Sequence, residues 1–517
     1  MKIYKLCKSY FVKHKRGLAT YLIITIFVGL FSMINPFLIG DFIDSLIEGG
    51  SMAVVYRFVI IFATINILRM FFSYITMIIY TKVQSKIAHE FSQSIIKHIQ
   101  SVSLSFIHKK DTDYLAQVIN GDTNSIIIFC ISFASNFILN IIYLIAPLII
   151  LLYINSFITI ILISFICLYV FIYVKFKKPL YRRNLALREV QNTFFSGLLE
   201  QLRLTKFIKM NAIGKIFYER INAKFENLIN KTLSMQKLSY AYSALDNIIT
   251  TITQISLFLL GGFFILSGNF TIGSFTIFSM YFNMMLSSAK YFFDFGQSYQ
   301  DAMVSYNRIT DILFTKTETI GKTRVLKIES IAIKHLSFSY EASDKKIINN
   351  FNYIFKKDNI YCVVGKNGAG KSTLIDILMG MYIDEIGGEI FINNISTKMI
   401  NMPELRKKHI ALSEQQSIVF EVANYNKTDK ELINLLKLED VFEKTNFSGG
   451  EKQKLSLYKA LTKNADVIIF DEPTLALDKE SSLAFIDTLK KLKHKIVIIV
   501  SHDEQVIENC DEIIKLS

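Results

Sequence analysis

The sequence has no tryptophan and only five cysteines, Cys7, Cys130, Cys167, Cys362 and Cys510. None of the five falls in a C-x-x-C pair or at metal-ligand spacing. That excludes a disulfide framework or a zinc site and leaves free thiols facing cytosol or lipid. Missing tryptophan beside abundant lysine, asparagine and isoleucine is the usage of an AT-rich bacterial genome. There is no internal repeat and no low-complexity segment. No cleavage site follows the basic, amphipathic opening MKIYKLCKSYFVKHKRG, so it reads as a membrane-surface helix and not as a removed signal.

What is present is unevenly placed. The chain has 517 residues, enough for two to four domains, and 51% of them are hydrophobic. Roughly the first 300 residues hold long apolar runs, and the remainder reads as ordinary α/β sequence. Six runs, at 18–40, 54–80, 126–153, 157–174, 244–267 and 272–293, are each near the ~20 residues that cross a bilayer.

The formal net charge of +14 is not the mark of a nucleic-acid binder, because the basic residues cluster beside the apolar runs. Lys2, Lys5, Lys8, Lys13, Lys15 and Arg16 precede the first run. Lys82, Lys86, Lys97, Lys109 and Lys110 follow the second, and a longer series from Lys175 to Lys209 follows the fourth. The other three connections lack basic residues apart from Arg57 at one edge. Both termini and both long loops are therefore expected in the cytosol of a multi-pass protein of a bacterial cell membrane. Those loops, 82–125 and 175–240, are charged, rich in helix formers and poor in Gly and Pro. The helices are expected to run on through them and to turn at short crossing helices near 105–124 and 207–216.

Two features of the spans invite function. Arg69 sits near the middle of the second, where a charge is costly unless it faces water, a counter-charge or an interface. Span five carries Asp246, Asn247 and Gln254. The Met and aromatic residues Phe278 to Met285 of span six either line an adaptable cavity or pack between helices.

After a mixed connector at 311–330, short β-branched runs alternate with helical stretches. One of them organises the rest. Ile360 to Val364 reads as a buried strand, followed by a glycine-rich turn and a helix from about Lys371. Gly365, Gly370, Lys371 and Ser372 meet the spacing G-x-x-x-x-G-K-[S/T]. Successive backbone N–H groups of such a turn, and the helix N-terminus behind it, make a phosphate cradle. Lys371 reaches the β- and γ-phosphates and the Ser372 hydroxyl ligates Mg²⁺. Val467 to Glu472 is a strand ending in two carboxylates. Asp471 would hold the Mg²⁺, and Glu472 would polarise the attacking water as general base. Ser448-Gly449-Gly450-Glu451, before a further helix, is a second anion site, and one nucleotide rarely needs two in one domain. A second copy docked head to tail would use it.

Taken together in chain order, these stretches resemble the ATP-binding cassette (ABC) transporters of exporter type, as a half-transporter with membrane and ATPase domains in one chain. Gly365 to Thr373, including Asn367 and Gly368, matches the Walker A motif, and Val467 to Glu472 the Walker B motif. Phe447 to Glu451 is similar to the LSGGQ signature and Leu475 to Asp478 to the D-loop. The resemblance implies that His502 is the switch histidine, that Gln415 is the Q-loop glutamine with Gln416 competing, and that Tyr340 stacks on adenine. It implies ATP and Mg²⁺ as cofactors, with Lys371, Glu472 and His502 catalytic and Ser372, Gln415 and Asp471 around the metal. It also implies a second half-transporter as partner, a homodimer or a heterodimer. The expected fold is an α-helical membrane domain of six transmembrane helices over 1–310, a linker at 311–330, and an α/β P-loop ATPase over 331–517.

Phe447 and Glu451 depart from the usual signature, but the serine and glycines that hold phosphate remain. The interval from Gln415 to Ser448 is short, so a trimmed helical subdomain is expected. No peptidase domain is expected ahead of span one, and only a short tail after His502. The function implied is ATP-driven export of a peptide or amphiphilic compound, with Arg69 meeting an acidic group on it and the Met/aromatic face its apolar part. Two other readings stay open, an importer of exporter architecture and a regulatory nucleotide-binding subunit. A soluble nucleic-acid ATPase is excluded by the apolar runs and their loop charge.

Overall fold

The computed structural model describes residues 2–110, 112–340, 346–415, 429–444, 446–475 and 477–516. The chain forms two compact units. One comprises residues 1–95 and 116–311, the other residues 96–115 and 312–517.

The first unit is helical. It contains α1 (Lys2–Lys13), α2 (Lys15–Ile47), most of α3 (Met52–Ile99), α6 (Thr123–Ile154), α7 (Ser156–Arg203), the short α8 (Thr205–Met210), α9 (Gly214–Leu266) and α10 (Ile272–Leu313). The short helices α4 (Leu104–Lys109) and α5 (Thr112–Gln117) lie between α3 and α6, and α6 is entered through a π-helical turn at Val118–Asp122. Among the described residues, α2, α3, α7, α9 and the stretch Tyr114–Ile154 are long and apolar enough to cross a membrane. Ser274, Ser279, Asn283, Ser287 and Ser288 interrupt the apolar residues of α10, which is not among these five. Large side chains such as Ile60, Met70, Phe71, Phe258, Leu259 and Phe263 stand exposed on α3 and α9, and lipid is the solvent that suits them.

As expected, α3, α7 and α9 run far beyond their apolar stretches. At 48 and 53 residues, α7 and α9 are more than twice the length a bilayer needs. They lie antiparallel. Tyr169 and Tyr242 share a hydroxyl hydrogen bond of 3.0 Å, the Phe194 ring lies tilted against Phe225 at 5.7 Å, and Gln201 Nε2 donates to Phe217 O at 2.5 Å. Asp44 of α2 caps α10, accepting from Thr271 Oγ1 at 2.6 Å and from Gly273 N at 2.7 Å. Gly273 has no room for a side chain there, since a Cβ would lie 2.1 Å from Gly40 O.

Two apolar faces singled out in the sequence are packed inside the helical unit. The Ile3, Cys7 and Phe11 stripe of α1 is buried in protein, while Tyr4 and Val12 of the same helix stand exposed. Tyr10 beside it packs on Phe91 and donates to Ser94 Oγ at 2.7 Å. The Met/aromatic face of α10 is helix packing. Phe278, Tyr281, Phe282 and Met285 are buried with Leu151, Ile158, Leu162 and Leu257, so this face does not line a binding cavity. Their mass of buried aromatic surface holds the helical unit together.

The second unit carries two sheets. An antiparallel one has the order β2 (Ile348–Lys356), β1 (Ser330–Phe338), β4 (Gly387–Ile392), β5 (Ile395–Ser396). A parallel one has the order β6 (Ile410–Ser413), β7 (Val467–Asp471), β8 (Ile496–Val500), β3 (Asn359–Gly365), β9 (Glu512–Leu516). Helices α11 (Lys371–Leu378), α12 (Met402–Lys408), α13 (Lys430–Leu435), α14 (Gly449–Thr462), α15 (Lys479–Lys491) and α16 (Glu504–Glu508) complete it. The parallel strands are near-continuous Val and Ile because both faces are covered. Alternate residues divide between two cores. Val467, Ile469, Ile498 and Val500 face the side of α11 and β1, whereas Ile468, Phe470, Val497 and Ile499 face the side of α14 and α15.

The segment 96–115 belongs to this second unit although it lies among the membrane helices in sequence. Leu104 packs on the first core, Val102 bridges Thr317, Glu318 N donates to Ser101 O at 2.8 Å, and Ser105 Oγ donates to Glu385.

Candidate functional site: the phosphate loop and its carboxylates

Parallel register places Val363, Asp471 and Val500 side by side, so β3, β7 and β8 deliver their following residues to one end of the sheet. That end is where open α/β sheets bind ligands. From β3 the chain enters the loop Lys366–Gly370. Gly368 and Gly370 have φ of 84° and 89°, the left-handed region that costs a side chain dearly. Gly365 is fixed by closeness, because a Cβ would stand 2.6 Å from Leu516 O. Gly370 then caps α11, with Leu374 N donating to Gly370 O at 2.8 Å.

Lys371 Nζ donates to Gly365 O at 2.8 Å and to His502 Nε2 at 2.8 Å, so that ring nitrogen accepts. His502 Nε2 also lies 3.6 Å from Glu472 Oε1. Glu472 is held in a left-handed conformation with φ of 47°, and its N–H bonds Val500 O at 2.9 Å. For a residue with a side chain that is strain, and strain of this kind gathers at functional sites. Ser372 Oγ donates to Asp471 Oδ2 at 3.3 Å. Burial pushes the Asp471 carboxyl up, the Ser372 hydroxyl opposes it, and Glu472 beside it adds to the rise.

Ser372, Asp471, Gln415 and Glu414 line a cavity of about 230 Å³ with Asp376. Converging hydroxyl, carboxylate and amide oxygens are the donor set of a hard divalent cation, and a half-buried carboxylate with a raised pKa gains from one. The residues therefore fit Mg²⁺. The described residues contain no group of three or more His, Cys, Asp or Glu that could hold a metal ion by itself, so the Ser372 hydroxyl and the Gln415 amide oxygen belong to the donor set.

Other expected residues lie apart or are already engaged. Asn367 is exposed on the loop. The Tyr340 hydroxyl shares a hydrogen bond of 3.0 Å with Thr373 Oγ1, and its ring meets Phe338 edge-on at 5.0 Å. Gln416 lies outside the described residues, as do 417–428 and residue 445 of the interval before Ser448. Ser448, Gly449 and Gly450 open α14, and among the described residues no hydrogen bond joins them to Lys371 or Ser372 of the same chain. One turn on, the buried Gln453 reaches Glu472 O at 3.5 Å.

Sequence reasoning treated Glu451 as a departure from a motif. In the structure it closes a capping box. Glu451 N donates to Ser448 Oγ at 3.3 Å and Ser448 N donates to Glu451 Oε2 at 2.7 Å. The pattern S-x-x-E is itself a local signal for this. Lys444 beside it, then the Ser448 N–H and hydroxyl, hold the Glu451 carboxyl down at about 2. Asp376 and Glu414 were missed as well, since nothing in their sequence neighbourhoods marks them. Burial lifts Asp376 to about 6, His108 of α4 opposes the rise, and Glu414 and Asp471 reinforce it. His108 of the crossing helix α4 thus lies near enough to Asp376 for its charge to be felt there.

Comparison with known proteins agrees with this geometry. The family model for the ABC transporter transmembrane region matches residues 18–289, more than half of the chain, and the model described as ABC transporter matches residues 348–475. The leukotoxin translocation ATP-binding protein LktB of Mannheimia glucosida is 24% identical over 97% of this chain and 74% of its own length. The ATP-dependent lipid A-core flippase of Syntrophus aciditrophicus is 24% identical over 86% of this chain and 78% of its own. A bacterial Atm1-family ABC exporter solved with ATP bound has the same fold, with a TM-score of 0.83 at 17% identity, covering 98% of this chain and 94% of that one. With a membrane region and an ATP-hydrolysing cassette in one polypeptide of exporter-type fold, the chain belongs to the ABC transporter family.

Proposed function

We propose that this chain is half of an ATP-driven exporter that moves a peptide or amphiphilic compound out across a bacterial cell membrane. The observation that carries this reading is the cluster at the sheet end. Lys371, His502 and Glu472 stand in consecutive contact beside the Ser372–Asp471 pair, a complete set for phosphoryl transfer to water. A subunit that only bound nucleotide would not need it. Exporter-type fold and relatives named for leukotoxin translocation and lipid A-core flipping support outward movement of large or amphiphilic cargo.

In this reading two copies, or this chain and a relative, close on two ATP molecules. Gly365 to Thr373 cradle the phosphates of each, and Tyr340 stacks on adenine. Ser448 to Gly450 of the opposing chain cover the γ-phosphate, which explains why they stand apart from Lys371 within one chain. Lys371 and His502 neutralise the charge that develops as the γ-phosphoryl leaves. Glu472 orients the water and takes its proton. Ser372, Asp471 and Gln415 would hold Mg²⁺, which when bound neutralises charge on the β- and γ-phosphates.

ATP favours the closed pair because that state offers contacts the open one lacks. Closure reaches the membrane helices through α4 and α8, in a chain partitioned at 1–310, 311–330 and 331–517. All six long helices cross the bilayer, with α10 the sixth and both termini in the cytosol.

The test is Glu472→Gln in the full-length protein. ATP binding is expected to persist while hydrolysis falls by at least ~100-fold. Sustained hydrolysis would remove Glu472 from its role and with it the reading. Movement of labelled cargo into inside-out vesicles reports the direction, and movement out of them would make the protein an importer.

A further inference from the structure

The helical unit holds a cavity of about 930 Å³ among α6, α7 and α10. Arg69 does not line it. Phe129, Phe133 and Phe295 do, with Phe295 at 5.8 Å and 4.8 Å from the other two ring centres. On the same wall is Asp122, which is only 6% exposed. Its Oδ1 accepts from Ser305 Oγ at 2.7 Å, while its Oδ2 has no hydrogen-bond donor. The cation beside it, Arg308 Nη1 of α10, stands off at 3.6 Å, and the Arg308 side chain is 37% exposed.

A buried carboxylate left half-satisfied is costly, and a fold that keeps one invites a reason. The local backbone is unusual at the same place. Asp122 ends the five-residue π turn Val118–Asp122, and the Ile119 carbonyl of that turn is taken up by Ser92 Oγ of α3 at 2.8 Å. Such turns are rare and are frequently found at functional sites. The wider lining has the same sign. Asp301 is paired with Arg188 at 2.9 Å, and Glu189 adds a third carboxylate against two guanidinium groups among the described residues.

We propose that this cavity takes an amphiphilic cation, whose charge displaces Arg308 from Asp122 while its apolar body lies on the Phe129, Phe133 and Phe295 stack. The inference rests on the export reading and names a cargo class for it. Ring faces attract cations as well as apolar surface. Arg308 gives up little, because at 3.6 Å it makes no hydrogen bond and its long stem can carry the guanidinium into the wet part of the cavity. Arg308 also stands near the end of α10, just before the chain enters the ATPase unit at Ile312. Cargo that frees it acts on the helix leading to the motor.

The experiment uses the full-length protein in nanodiscs, with empty nanodiscs subtracted, titrated by calorimetry with tetraphenylphosphonium and with tetraphenylborate. These ions share one shape and carry opposite charge. The phosphonium is expected to bind saturably and the borate not. Asp122→Asn is expected to weaken phosphonium binding about tenfold, ~1.4 kcal/mol, and Arg308→Gln to tighten it, since a competitor is gone. Glu189→Gln, on an exposed wall, is expected to weaken it less, and decides the matter should the Asp122 variant fail to fold. Binding of a fluorescent ATP analogue certifies each variant. Saturable borate binding, unchanged phosphonium binding in both carboxylate variants, or weaker binding in Arg308→Gln overturns the proposal. Hydrolysis of ATP by the parent is measured apart from this titration, so failure of the export reading and failure of the cargo class are distinguishable.

Discussion

Lys290 of α10 donates to Asp246 Oδ2 of α9 at 2.8 Å, with Thr250 Oγ1 at 3.4 Å and the ring of Tyr169 from α7 under the ammonium at 5.5 Å. Both side chains are largely buried, and both lie near the ends of apolar stretches. Removing one partner strands the other in a setting with few alternatives. Lys290→Met is expected to destabilise the helical unit by a few kcal/mol, and adding Asp246→Leu to recover most of the loss. Thermal unfolding in nanodiscs checks this. A Lys290→Met variant that unfolds no earlier than the parent shows the pair to be idle.

Asp376 predicts a pH signature. Its carboxyl sits near 6 in the fold against an ordinary 3.8, with burial the leading cause. The fold therefore holds this proton more tightly than the unfolded chain does. That advantage is fully present below about pH 3.8, is lost as pH rises toward 6, and stays lost above. Asp376→Asn is expected to gain stability over the parent across that interval and to keep a constant lead at higher pH. A lead that does not change with pH between 4 and 7 would mean that the residue ionises as it does in water.

Glu451 predicts a kinetic one. Its carboxylate stays ionised at neutral pH at the start of α14, where a phosphate of ATP is proposed to arrive. Glu451→Gln preserves the S-x-x-Q form of the capping box and removes the charge. The KM for ATP is expected to fall several-fold with kcat little changed. Glu451→Ala loses both cap and charge, and the ends of α14 should then exchange amide hydrogens faster. An unaltered KM in Glu451→Gln would show that this charge is not felt by nucleotide.

What could be read from sequence follows contact range. The phosphate loop and β7 are contiguous, so the spacing from Gly365 to Ser372 and the run Val467 to Glu472 already contain their local geometry. Asp246 was visible as a polar residue in an apolar span. Its pairing with Lys290 was not, because 44 positions separate them and only the packing of α9 on α10 brings them together. The Met and aromatic face of α10 was ambiguous for the same reason, since periodicity shows that a face is apolar and not what covers it. The left-handed turn of Glu472 leaves no sequence mark, because a glutamate there is unexpected on steric grounds alone.

The seat of α4 has a practical consequence. Ser105 bonded to Glu385, and Leu104 lodged on the core of β1 and α11, make a piece of the membrane half's loop into a structural part of the motor. A catalytic half cut out by sequence from Ile331 onward would expose that socket and lose its plug. Anyone wishing to study hydrolysis free of lipid should expect such a fragment to be sticky and sluggish until a peptide spanning residues 96–115 is supplied or fused.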